Sequence, residues 1–151
     1  VIGVGPGFTA GEDCHAAVET MRGHTLGRAL YHGSPLPNTN IPGLIGGFAG
    51  ERVLRAPCDG IFTAVHRIGD TVEEGETIGF VEGQPMKCTI SGVLRGVLDD
   101  GVPVKKGMKS GDVDPRCKPE YCTTISDKAL AVGGGVVEAV LYLRAKAQGR
   151  R

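Results

Sequence analysis

The chain has 151 residues, enough for a domain with a real core, and its 17 Lys+Arg balance 17 Asp+Glu. Zero net charge removes the electrostatic footprint of a nucleic-acid binder or of a protein held on an anionic membrane. The 40% hydrophobic content argues against disorder, no apolar run reaches the roughly 18 residues of a membrane span, and glycine is enriched, at 25 residues. Cys14, Cys58, Cys88, Cys117 and Cys122 form no CxxC pair and follow no signal peptide, so they read as reduced thiols of a cytoplasmic protein. The opening Val1-Ile2-Gly3-Val4 lacks a Met and already reads as a strand, as expected of the back part of a longer protein.

After that strand, Gly5-Pro6-Gly7-Phe8-Thr9-Ala10-Gly11 forms a glycine loop, and Thr9 with Glu12 has capping-box spacing. Cys14, Ala17, Val18 and Met21 fall at i, i+3, i+4, i+7, which predicts a helix ending at Gly23. Leu26 to Tyr31 reads as a strand. Asn38-Thr39-Asn40-Ile41-Pro42-Gly43 reads as a turn-rich stretch, and Leu44-Ile45 as a strand fragment.

The middle of the chain repeats itself. Gly60, Gly69, Gly75 and Gly79 recur as Gly92, Gly101, Gly107 and Gly111, each 32 residues on. Turn glycines in one register mark matching backbone geometry, and two copies predict a pseudo-symmetric β structure rather than a solenoid. The pattern resembles the barrel-sandwich hybrid of biotinyl and lipoyl carrier domains, in which two similar β halves interlock. Met86-Lys87 suggests the modified lysine of such a carrier, yet Lys87 corresponds to Arg55 and falls inside the second half. The hairpin between the halves is Glu82-Gly83-Gln84-Pro85, with no lysine, so neither biotin nor lipoate is expected.

Beyond Asp112 the chain reads Val113-Asp114-Pro115-Arg116, a Cys/Pro loop, and then a helix capped by Thr124 or Ser126. Val136, Val137, Val140, Leu141 and Leu143 give its apolar stripe. Gly133-Gly134-Gly135 costs a helix about 1 kcal/mol per glycine relative to alanine. The helix therefore starts after the glycines, or something packs against bare backbone there. The tail Gly149-Arg150-Arg151 is expected to fray. The expected fold class is thus α+β and β-rich: a barrel-sandwich hybrid with an N-terminal strand-loop-helix unit and a C-terminal helix. Its segments are 1–50, 51–113 and 114–151.

Several polar groups invite chemistry. Gly5 and Gly7 at a strand-to-helix junction can cradle an anion, or simply turn the chain. Glu19 and Arg22 at i, i+3 suggest a surface pair, and with His24 they can make an acid/base or anion-binding cluster. Cys14-His15 are adjacent helix residues and make no metal clamp. Cys117 and Cys122 are spaced too far apart for a zinc knuckle, so no metal is expected. Cys122, four residues before Ser126-Asp127-Lys128, is a candidate nucleophile if a helix N-terminus and a lysine lower its pKa, and a plain buried thiol otherwise.

Five blocks in order, Gly5-Pro6-Gly7-Phe8-Thr9-Ala10-Gly11, Glu19-Thr20-Met21-Arg22-Gly23-His24-Thr25-Leu26-Gly27-Arg28, Glu51-Arg52-Val53-Leu54-Arg55-Ala56-Pro57, Asp112-Val113-Asp114-Pro115-Arg116 and Ser126-Asp127-Lys128-Ala129 with Gly133-Gly134-Gly135-Val136-Val137-Glu138-Ala139, span essentially the whole chain. Together they resemble the accessory protein family of the selenium-dependent molybdenum hydroxylase system of anaerobic bacteria. Asn40 stands where a turn glycine is expected, and Val1 corresponds to a point inside the family's longer chain. The resemblance implies a role in maturing hydroxylases of the purine and xanthine dehydrogenase type, with a hydroxylase or its maturation proteins as partner and self-association left open. It implies no assigned reaction. Two readings follow. In one, Cys122 handles a selenium or molybdenum-cofactor-related species, aided by Glu19 and His24, with Thr9, Arg22, Arg116, Asp127, Lys128 and the Gly5–Gly7 loop binding it in one cleft. In the other, the chain is a non-catalytic chaperone or scaffold for the hydroxylase.

Overall fold

The structure, a computed structural model, describes residues 1–39 and 42–149. The turn expected across Asn40 and Ile41, and the fraying of Arg150 and Arg151, lie outside the described residues. The chain is α+β and β-rich, and it divides into two compact units, Val1–Asn40 with Ile125–Arg151, and Ile41–Thr124. The boundaries read at 50/51 and 113/114 both fall inside the second unit.

In the first unit, strands β1 (Ile2–Val4), β2 (Ala16–Val18) and β3 (Ala29–Leu30) form one sheet in that order, β1 parallel to β2 and β2 antiparallel to β3. The helix expected after the glycine loop and ending at Gly23 is absent, so the N-terminal unit is strand-loop-strand. The carbonyl of Thr9 accepts from both Glu12 and Asp13, the Asp13 carboxylate accepts from the Thr9 N–H at 2.8 Å, and Gly11 has φ +92°. That closes a single turn and leaves no helical path onward. Ala16, Ala17 and Val18 are all fully buried in the central strand. A strand covered on both faces shows a continuous apolar run, and periodicity alone does not separate it from a buried helix segment. The strand read over Leu26–Tyr31 shrinks to Ala29–Leu30, because Gly23–Arg28 is spent on turns with Gly27 at φ +81°.

Helix α1 (Asp127–Ala147) runs straight through the glycine triplet. The Ser126 hydroxyl accepts from the Ala129 N–H at 3.1 Å, Asp127 sits in the first turn, and Arg144 and Lys146 sit in the last. Gly135 is where bare backbone is needed. A Cβ there would run into the Gly27 carbonyl and come within 2.9 Å of Val18 Cγ1, and a Cβ on Gly27 would meet the carbonyl of Ala131. The buried face of α1 is therefore made of small residues, Gly135 and Ala139, while Val137, Val140 and Leu141 of the expected apolar stripe are exposed. Gly134 faces open space. Gly134→Ala should raise stability by about 0.5–1 kcal/mol, measured by urea denaturation.

The second unit carries the repeat. Its strands are β4 (Val53–Arg55), β5 (Gly60–Ala64), β6 (Thr71–Val72), β7 (Thr77–Val81), β8 (Gln84–Lys87), β9 (Gly92–Val97), β10 (Pro103–Val104) and β11 (Lys109–Asp114). They pair antiparallel in two four-stranded sheets, ordered β10-β5-β7-β8 and β6-β9-β11-β4. The 32-residue register turns one sheet into the other: β5 and β7 become β9 and β11, while β10 and β8 answer to β6 and β4. Pairing follows residue by residue. Gly60 faces Val104 as Gly92 faces Val72, and Thr77 faces Lys87 as Lys109 faces Arg55, with a bulge at the same next position in both.

Physical reasons for the repeated glycines appear in the turns. Gly69 and Gly101, with φ of +101° and +82°, donate to the carbonyls of Leu94 and Phe62 at 2.8 and 2.9 Å. Gly75 and Gly107 donate to Cys88 and Ala56 at 2.8 and 2.9 Å. Each half therefore ties its turns to strands of the other half. The core repeats as well, with Leu54 and Met86, Phe62 and Leu94, Val72 and Val104, and Val81 and Val113 all buried in one cluster.

Candidate functional site

In the first unit the polar residues converge on the end of β2. Glu19 is 4% exposed, its Oε1 accepting from the Met21 N–H at 2.7 Å and its Oε2 from the Leu36 N–H at 2.8 Å. Burial pushes its carboxyl up, but the Leu36 and Met21 N–H groups, then Lys128's charge, outweigh that and hold it below the usual carboxylate range. Arg22 is not its partner. The Arg22 guanidinium takes Asp127 in a two-pronged bridge at 2.7 and 3.0 Å, joining the segment after β2 to the start of α1. The helix spacing that suggested a Glu19–Arg22 pair does not exist, because this stretch is not a helix. His24 is exposed on the turn between Gly23 and Gly27.

The Gly5–Gly7 loop leads into a turn and a strand, so it does not open a helix. Gly5 donates its N–H to the Val18 carbonyl at 2.9 Å, and the Thr9 hydroxyl is hydrogen-bonded to that of Ser34 at 2.9 Å. The anion-cradle reading therefore loses the helix dipole that motivated it.

In the second unit the centre is Asp114 on β11, whose carboxylate is 1% exposed. Arg116 gives it three bonds, backbone N–H and Nε to Oδ1 at 3.0 and 2.9 Å and Nη2 to Oδ2 at 2.6 Å, and Arg95 approaches Oδ2 at 3.4 Å. The Arg116 side chain foremost, against the opposing effect of burial, holds the Asp114 carboxyl down at about 2. The Arg116 guanidinium also lies 4.5 Å over the Tyr121 ring. Cys122 ends a short 3-10 turn, Pro119–Cys122, half-buried, with its thiol donating to the Leu94 carbonyl at 3.9 Å.

Thus Glu19, Arg22, Asp127 and Lys128 gather in the first unit, while Asp114, Arg116 and Cys122 belong to the second. All five cysteines are free, with Cys14 and Cys88 buried and their thiols pushed up chiefly by burial. Among the described residues, no group of three His, Cys, Asp or Glu side chains is placed to hold a metal ion. No helix among them is long and apolar enough to cross a membrane. Lys87 is exposed on β8 opposite Thr77, and the β7–β8 hairpin turns at Glu82 and Gly83, both at positive φ.

Sequence reasoning missed Arg52. It is 5% exposed, with Nη2 on Asp112 at 2.8 Å, Nε on the Val113 carbonyl at 3.3 Å and Nη1 on the Gly43 carbonyl at 3.2 Å. Nothing near Arg52 in sequence announces a carboxylate some sixty positions away.

No protein-family profile matches the chain. The uncharacterized protein YqeB of Escherichia coli strain K12 is 48% identical over 142 residues, covering 94% of this chain and 26% of that protein. The chain thus spans about a quarter of the length of this curated relative. Two solved structures align over 42% of this chain and 22% of theirs, each with a TM-score of 0.38. They are an aspartoacylase family protein of Mesorhizobium loti, 17% identical, and a succinylglutamate desuccinylase/aspartoacylase of Rhodobacter sphaeroides, 24% identical.

Proposed function

We propose that this chain is part of an accessory protein for the maturation of selenium-dependent molybdenum hydroxylases, acting in the cytoplasm by binding rather than by chemistry of its own. The family reading rests on the five ordered sequence blocks. The scaffold reading rests on one observation: Glu19, Arg22 and Asp114 of those blocks are spent on the fold. Glu19 holds two backbone N–H groups, Arg22 holds Asp127, and Asp114 holds Arg116. Groups so engaged set loop and strand geometry and would have to break bonds to reach a substrate.

Within this reading residues 51–113 form a barrel-sandwich hybrid, which the shared 32-residue register of both sheets supports. It acts as a rigid docking module, with no biotin or lipoate because its hairpin tip carries no lysine. The partner is a hydroxylase of the purine and xanthine dehydrogenase type, or a protein that matures it. The expected result is that the protein co-elutes with the hydroxylase on size exclusion, and that Cys122→Ser binds with unchanged affinity. Loss of function in Cys122→Ser with the fold and the complex intact would instead favour the reading in which Cys122 handles a selenium species.

A further inference from the structure

The repeat provides an internal reference, and the two halves part at one place. Phe62 faces Val81 as Leu94 faces Val113. From there the first half continues with Thr63 opposite Phe80, whereas the second skips a residue and sets Gly96 opposite Asp112. Arg95 is the extra residue. A bulge of this kind bends its strand and re-aims a side chain, and such bulges are frequent beside functional sites. An open groove of about 390 Å³ lies there, lined by residues 95–98 and 109–112. That volume is within the usual range for small-molecule sites, about 300–1,000 Å³.

The chemistry changes at the same positions. Thr63, Ala64, Thr77 and Ile78 of the first half are answered by Arg95, Gly96, Lys109 and Ser110. Core packing does not account for this, since Ile78 is fully buried while Ser110 puts a hydroxyl at an equally buried position. The charges are also unbalanced. Asp112 is matched by Arg52 at 2.8 Å. Arg95 has a single long contact, 3.4 Å to an Asp114 already gripped by Arg116, and Lys109 has no carboxylate partner among the described residues. Among the described residues no buried side-chain nitrogen lacks a partner, so the remaining guanidinium donors of Arg95 reach solvent.

We propose that this groove is a binding site for a small molecule carrying an oxyanion, a phosphate or a carboxylate group. The Arg95 guanidinium and the Lys109 ammonium hold the anion, and Gly96 leaves room for it. The site stands independently of the scaffold reading.

The test is an NMR titration of the isotope-labelled full chain with inorganic phosphate and, separately, with succinate, at constant ionic strength. Saturable shifts centred on residues 95–98 and 109–112 are expected, and the tighter of the two probes identifies the anion. Lys109→Gln should weaken binding about tenfold, the usual weight of one charge-assisted contact. Gly96→Val keeps both cations and fills the groove; the nearest atom to a Cβ there is 3.8 Å away, so the fold tolerates it, and binding should be lost. Shifts that grow linearly without saturating, or that are unchanged in both folded variants, would overturn the proposal.

Discussion

Asp114→Ala is expected to destabilise the second unit by about 3 kcal/mol, because it leaves the Arg116 and Arg95 guanidinium groups facing a vacated buried position. For a unit of this size that lowers the melting temperature by about 15 °C. The same residue sets an acid limb. Its folded carboxyl titrates at about 2 against an ordinary 3.8, so the folded state favours the charged form. The contribution is fully present above pH 4 and is lost as pH falls through 2, amounting to about 2–3 kcal/mol. Urea midpoints measured from pH 6 down to pH 2 should fall in the native protein, and less steeply in Asp114→Ala. Equal acid limbs in the two proteins would place the acid-sensitive group elsewhere.

Gly135→Val is the second large effect. The backbone of α1 lies directly on the Gly27 carbonyl at this point, and any side chain must push the helix off the sheet. The expected cost is more than about 3 kcal/mol, beyond ordinary overpacking, because the obstruction is backbone rather than a side chain that can rotate away. Hydrogen exchange reports it directly. Amides of Ala16–Val18 and of the helix around Ala131–Ala139 should lose protection in Gly135→Val and keep it in Gly134→Ala. Retained protection in Gly135→Val would show that the close approach is dispensable.

The two variants also mark how far the sequence could be read. The 32-residue spacing of glycines is enough to anticipate two matching β halves: Gly69, Gly75, Gly101 and Gly107 sit in turns at positive φ, while at Gly79 and Gly111, inside strands, a Cβ would meet backbone of the neighbouring strand. The spacing of Cys14, Ala17, Val18 and Met21 predicts a helix where there is none for an equally physical reason: Ala16, Ala17 and Val18 form a strand buried on both faces, and a short apolar run of this kind carries no period. Of the two options read for the glycine triplet, bare backbone under packing is the one found, yet only the fold identifies Gly135, and not Gly133 or Gly134, as the residue against Gly27. Among the polar groups, the Arg22–Asp127 bridge and the Arg52–Asp112 pair join segments far apart in sequence, and no local spacing signals either. Sequence spacing pairs Glu19 with Arg22, whereas its partners are the backbone N–H groups of Met21 and Leu36.

The proposed role in hydroxylase maturation is tested most directly by the selenium and molybdenum content of the hydroxylase itself. It would be purified from cells that lack the accessory protein and from cells complemented with the native or the Cys122→Ser form. The scaffold account predicts that labile selenium and hydroxylase activity are lost without the protein and restored equally by both forms. A hydroxylase that keeps its full selenium and activity in cells lacking the protein would contradict it.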